Sequence, residues 1–103
     1  MKHLKEALQK AAEDTAAYMT FDVRRSARSH GWNKDESSSL RVRYNSDGFH
    51  IHAEGDHSEA ALTKEFGTEE QRPTAVMRKY GNNPGKASEV FLRQLDKHLG
   101  GTF

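Results

Sequence analysis

Residues 40–54, "LRVRYNSDGFHIHAE", decide how this chain is read. Two runs that alternate apolar and basic residues flank Asn45-Ser46-Asp47-Gly48, residue types that tolerate the dihedrals of a tight turn. The pattern predicts a β-hairpin over residues 39–54. With Ser46-Asp47 as the loop, Tyr44 faces Phe49 and Val42 faces Ile51; with Asp47-Gly48 as the loop, Tyr44 faces Ile51 and Val42 faces Ala53. Both registers place Leu40, Val42, Tyr44, Phe49, Ile51 and Ala53 on one face, ready to pack on a helix. Both place Arg41, Arg43, His50 and His52 on the other, a basic outer face.

The helix to receive that hairpin precedes it. Leu4, Leu8, Ala11, Thr15, Tyr18 and Met19 recur at spacings of three and four, which predicts one long helix over about residues 2–28. Arg24, Arg25 and Arg28 suit its C-terminal end, where the macrodipole favours cations, and Gly31 stops it. Residues 30–39, "HGWNKDESSS", have no periodicity and read as a surface loop. Trp32 is expected to fold back from that loop onto the domain, because its ring is unfavourable in water.

Beyond the hairpin, "AALTKEFGT" (residues 60–68) is either a helical turn or a third strand, with Gly67 supplying a bend. Pro73 is expected to open a short helix over "TAVMRKY", stopped by the Gly-Asn-Asn-Pro-Gly of residues 81–85. A last amphipathic helix over about residues 88–99 carries Val90, Phe91, Leu95 and Leu99 on one side, and Gly100-Gly101 fits its C-terminal cap. The expected fold class is α+β: a long N-terminal helix on a small antiparallel sheet, followed by C-terminal helices, in a single domain over residues 1–103.

Composition narrows what such a domain does. Hydrophobic residues make up 34% of the chain and charged ones 30%, a thin supply of core, and there is no cysteine to cross-link it. A partner surface that completes the core is the favoured remedy. The formal charge of +1 is too small for the long-range field of a dedicated nucleic-acid binder. No apolar run approaches the roughly 20 residues that span a bilayer, and "MKHLKEALQKAAED" lacks a signal-like apolar core, so a soluble protein made in a reducing cytoplasm, with no membrane partner, is expected.

Catalytic and cofactor signatures are missing. There is no GxxxxGK[ST] or GxGxxG, and "EFGTEE" would set carboxylates where a phosphate should sit. There is no cysteine nucleophile, no GxSxG and no HExxH, and the carboxylates of residues 54–70 are scattered through polar segments. His50-x-His52 sets two imidazoles on one strand face with Asp56 and His57 nearby, but Arg41 and Arg43 beside them disfavour a dication. No enzyme activity, metal or other cofactor is expected. The Arg41, Arg43, His50 and His52 face is the best candidate for touching nucleic acid, although it lacks stacking aromatics.

Glu65-Phe66-Gly67-Thr68 admits two readings from the residues. In one it is a turn in which Gly67 takes a positive φ, Phe66 enters the core, and Glu65 and Thr68 are solvated. In the other it is an interface. A long helix, a hairpin, this tetrapeptide, a proline-containing segment and a C-terminal amphipathic helix together resemble the small neck proteins of long-tailed bacteriophages, the tail-completion or head-to-tail joining family. The resemblance spans about residues 5–99. Glu65, Phe66, Gly67 and Thr68 match the family's acidic-aromatic-Gly-Thr signature, Pro73 its following proline, and Arg78 a later arginine. The chain departs after Pro73, where Thr74-Ala75-Val76-Met77 replaces the usual early aromatic.

The resemblance implies a virion protein of the neck, assembled in the host cytoplasm. It would form a cyclic homo-oligomer, of six copies by analogy, between head-connector or adaptor proteins and the tail terminator or tube protein. On that view residues 65–68 and Pro73 lie at interfaces, while Arg41, Arg43, His50 and His52 line the channel and touch passing DNA. The alternatives are the related tail terminator ring and, from another class, a small nucleic-acid-binding regulator that uses the basic hairpin face.

Overall fold

The computed structural model describes residues 2–81 and 84–99, and for residues 2 and 84–86 the backbone alone. The fold is α+β. Helix α1 (Lys2–Ser29) leads into a short α2 (Lys34–Ser38), the hairpin of β1 (Leu40–Asn45) and β2 (Gly48–Ala53), then α3 (Ser58–Phe66), α4 (Met77–Gly81) and α5 (Pro84–His98). The strands pair antiparallel with Val42 opposite Ile51 and Tyr44 opposite Phe49, which selects Ser46-Asp47 as the loop. The Asn45 side chain accepts a hydrogen bond from the Asp47 N–H at 2.8 Å, and Gly48 takes φ 116° to re-enter the strand.

The main core lies where α1 crosses the hairpin. Ala16, Met19, Val23, Ala27, Trp32, Leu40, Val42, Ala61 and Val76 are buried there, with Phe49, Ile51 and Ala53 half-buried against them. The stripe of α1 that turns inward keeps Ala11, Thr15 and Met19 of the expected one but not Leu8 or Tyr18. Leu8 and Tyr18 are each 39% exposed, and the buried line is Ala7, Ala11, Thr15, Ala16, Met19, Val23 and Ala27. Small side chains let the hairpin and α5 approach the helix closely. Thr15 and Thr20 tolerate burial because their hydroxyls donate to the carbonyls of Ala11 (2.6 Å) and Ala16 (2.7 Å). Thr20 also ties helix to sheet, its hydroxyl accepting from the Val42 N–H at 2.9 Å. Tyr44 stays 38% exposed near the hairpin tip, its ring 6.2 Å from that of Phe49.

Residues 30–39 are not the loop expected. Asn33 caps the Glu36 N–H and the Glu36 carboxylate returns to the Asn33 N–H, both at 2.8 Å, a reciprocal capping box that starts α2. Trp32 does fold inward, 2% exposed, with its indole N–H donating to the Thr74 carbonyl at 3.1 Å. Residues 58–66 form a helix, so no third strand exists among the described residues. Pro73 does not open a helix. The chain continues without helical structure to Val76, and α4 begins at Met77. Helix α5 begins four residues earlier than expected, at Pro84. Asn82, Asn83 and the Gly100-Gly101 cap lie outside the described residues.

Helix α5 runs back along α1: Ala87 lines a cleft with Met19, while Leu95 packs on Ala7 and Ala11 with Phe91 and Leu99 beside them. The result is long and thin, 54 × 23 × 23 Å. Its radius of gyration of 15.6 Å exceeds the roughly 13 Å of an average domain of this length. Its surface of 7063 Å² likewise exceeds the roughly 5,900 Å² expected for its mass.

Candidate functional site

The tetrapeptide 65–68 sits where α3 ends, and its Glu65 and Phe66 side chains take the opposite sense to the turn reading. Glu65 follows Ala61 by one helical turn on the inner face of α3, and both are 0% exposed. Phe66, the next residue, therefore points outward and is 59% exposed. The buried carboxylate is fully engaged. One oxygen accepts from the backbone N–H groups of Val76 and Met77, each at 2.8 Å; the other accepts from the Arg78 N–H at 3.2 Å and Arg78 Nε at 2.8 Å. Arg78 Nη2 then donates to the Glu65 carbonyl at 2.7 Å.

This explains why α4 starts at Met77 rather than at Pro73. The first N–H groups of a helix lack intrahelical partners and carry partial positive charge, and here a carboxylate from another helix receives three in succession. Burial alone would push the Glu65 carboxyl up. The Arg78 guanidinium and the three backbone donors outweigh burial and hold it below its ordinary value, so Glu65 is ionised at neutral pH.

Gly67 makes the fold-back feasible. Its φ is 75°, and a Cβ there would stand 2.7 Å from both the Gln71 carbonyl oxygen and the Pro73 nitrogen. The positive φ and the exposure of Thr68 agree with the sequence reading; the inward Phe66 and solvated Glu65 do not. Thr68 closes the loop, exchanging backbone hydrogen bonds with Gln71 at 2.9 and 3.3 Å while its hydroxyl accepts from the Glu70 and Gln71 N–H groups. The Thr74 N–H donates to the Lys64 carbonyl at 2.8 Å, pinning the returning chain to α3. Glu65, Phe66, Gly67, Thr68 and Pro73 thus lie together in one closely packed fold-back.

On the surface of that unit the Arg78 guanidinium lies 4.7 Å from the centre of the Phe66 ring, a cation–π contact. Leu62, one turn earlier on the same face of α3, is 42% exposed. An open groove of about 360 Å³ runs beside Phe66, lined by Phe49, Ile51, Met77 and Arg78 among others.

The second candidate surface is the outer face of the hairpin. Arg41, Arg43, His50 and His52 are all exposed, with Arg41 opposite His52 and Arg43 opposite His50. It is less basic than the alternation implied, because Glu54, just past β2, swings onto it. Its carboxylate takes a bidentate pair from Arg43 at 2.6 and 2.7 Å and lies 3.8 Å from Arg41. The hydrogen bonds from Arg43 hold the Glu54 carboxyl below its ordinary value and raise that of Arg43. The His50 and His52 rings are 6.5 Å apart, while His57 instead approaches Asp35 at 3.9 Å. Among the described residues no three His, Cys, Asp or Glu side chains gather as metal ligands, and no helix is long and apolar enough to cross a membrane.

Sequence reasoning missed one polar cluster. Asp22, 5% exposed on α1, accepts from the Tyr80 hydroxyl at 2.9 Å and from Arg25 at 2.9 Å, joining α1 to α4. Burial first and the neighbouring Asp22 second raise the Tyr80 phenol well above its ordinary value. No local motif announces a pair 58 residues apart. Compared with protein-family models, characterised proteins and solved structures, the chain matches none.

Proposed function

We propose that this chain is a structural subunit of the neck of a long-tailed bacteriophage virion, one copy of a ring that joins the DNA-filled head to the tail. The observation that carries the reading is the arrangement at residues 65–68. A buried, fully hydrogen-bonded glutamate and a glycine whose added Cβ would stand 2.7 Å from backbone atoms fix the backbone so that Phe66 faces solvent. A fold that places so much internal order behind an exposed aromatic is suited to docking. The long, thin shape and small core support the same reading, since a subunit of this form gains its missing burial from neighbours.

In that role the protein works by assembly and not by turnover. Head-connector or adaptor proteins would contact one side of the ring and the tail terminator or tube protein the other. Arg41, Arg43, His50 and His52 would face the channel. With Glu54 shared between the two arginines, that face touches phosphates weakly, which suits a conduit through which DNA must slide.

The test is the mass of the purified protein in solution by light scattering, alone and mixed with head and tail components. A ring-sized species in either condition supports the neck role. A strict monomer that ignores every virion component yet binds duplex DNA with a steep salt dependence overturns it in favour of a nucleic-acid-binding regulator.

A further inference from the structure

Hydrogen bonds from α1 reveal which way each residue of the hairpin turns its backbone. The Val42 N–H donates to the Thr20 hydroxyl at 2.9 Å, and the Leu40 carbonyl accepts from Arg24 Nε at 2.7 Å. Both residues of β1 therefore point their backbone groups away from β2, and in an antiparallel pair the residues opposite them point away on the other side. Ile51 stands opposite Val42, and Phe49, two residues before it on β2, shares its orientation. Arg43 with His50 and Arg41 with His52 are the pairs that exchange the ladder bonds. The two edges of the sheet thus differ. Thr20 and Arg24 close the β1 edge, whereas on the β2 edge the outward N–H and C=O groups of Phe49 and Ile51 have no hydrogen-bond partner among the described residues. Such an edge is ordinarily blunted by a lysine, a proline, a bulge or a covering element. Gly48–Ala53 contains no lysine or proline, and its one-to-one register with β1 leaves no bulge. The groove of about 360 Å³ runs along this edge, lined by Phe49, His50 and Ile51 of β2 together with Phe66, Met77 and Arg78 and by no residue of β1.

We propose that the β2 edge receives an extended segment of a partner protein, which adds to the hairpin as a third strand. The unpaired groups dictate the occupant. Phe49 and Ile51 present a donor and an acceptor each at a two-residue spacing, which an extended backbone matches and a helix, whose backbone groups bond among themselves, does not. Side chains of the added strand alternate. One set enters the groove beside Phe66 and Met77 and is apolar; the other lies along His50 and His52 and is polar. A second copy has only its own β2 edge to offer, because its β1 edge is taken by α1. Two β2 edges would have to meet with the α3 and α4 walls of both grooves carried along, whereas a free segment brings no such bulk. The inference concerns the sheet edge alone and holds whether or not the subunits form a ring.

Amide hydrogen exchange read by NMR tests it, with a capped hexapeptide alternating valine and glutamate as the probe. In the free protein the Phe49 and Ile51 amides should exchange faster than those of His50 and His52, which lie in the ladder. At a peptide concentration about ten times its Kd, exchange at Phe49 and Ile51 should slow by about tenfold. N-methylation of alternate peptide residues should abolish that protection when it falls on one edge of the peptide and leave it intact when it falls on the other, a period of two that side-chain contact alone does not produce. Phe49 and Ile51 amides already protected in dilute free protein would overturn the open edge. Protection that rises with protein concentration in the absence of peptide, with a dimer by light scattering, would assign the edge to a second copy and overturn the partner segment. Equal effects of the two methylation patterns, or no protection at about 1 mM peptide, would overturn strand addition.

Discussion

Replacing Glu65 with alanine should unfasten the junction between α3 and α4. Four hydrogen bonds to its carboxylate disappear, from the Val76, Met77 and Arg78 N–H groups and from Arg78 Nε. Arg78 is exposed and Met77 half-buried, so both recover some water; Val76, 2% exposed, does not. A charge-assisted bond contributes about 1.5–3 kcal/mol and such bonds are not additive, while breaking a buried pair costs about 3–5 kcal/mol. Partial rehydration brings the expected loss to about 3 kcal/mol, a large share of the 5–15 kcal/mol typical of whole domains. Glu65→Gln keeps an oxygen for Val76 and Met77 but turns an amide toward the Arg78 donors, with an expected loss of about 2 kcal/mol. Urea unfolding followed by Trp32 fluorescence measures both, since this sole tryptophan donates to the Thr74 carbonyl in the affected segment.

The sign of the pH dependence follows from the lowered Glu65 pKa. Its stabilisation is complete above the ordinary value of 4.5 and is lost as pH falls through the lower folded-state value. The gap between wild type and Glu65→Gln should therefore hold from neutral pH down to about 4.5 and shrink below it. A loss under about 1 kcal/mol for the alanine variant, or a gap unchanged in acid, would refute the assignment of Glu65 as the clasp.

Gly67→Ala should lose more stability than Gly31→Ala. Both have a positive φ, a strained setting for a side chain that costs about 1–3 kcal/mol, but only at Gly67 does the new Cβ strike backbone atoms at 2.7 Å; equal urea midpoints would contradict the close packing of the loop. Thr20→Val, which strands the Val42 N–H, should cost about 1–3 kcal/mol, with Thr20→Ser recovering most of it; thermal melts decide. Arg41→Glu with Arg43→Glu should impair DNA retention in assembled particles without preventing ring formation, and unchanged ring assembly, DNA retention and infectivity would remove the channel-facing role from this strand face.

Elements with an unbroken period were legible in the sequence. The hairpin, the extent of α1 and the inward Trp32 followed from alternation, spacing and the poor hydration of an indole. Side-chain facing was less legible on α1, because expecting leucines inward overlooks that alanines permit a closer approach of two elements. The Asn33-x-x-Glu36 box that starts α2 was visible and went unused among its polar neighbours. At the candidate site the glycine was readable but the glutamate was not. Its burial depends on donors 11 to 13 residues further on, which no local pattern supplies.

The clasp behind Phe66 also bears on timing. Gly67, the Thr68–Gln71 exchange and the Glu65 carboxylate fix the backbone around the ring when the chain folds, so ordering that loop is not deferred to the moment of contact. If a partner docks at Phe66 as proposed, it meets a loop whose backbone is already hydrogen-bonded, so the loop ordering that docking otherwise demands has in part been met beforehand. Encounters that fit can then be retained at once and those that do not are released, a filter that needs no rearrangement to operate.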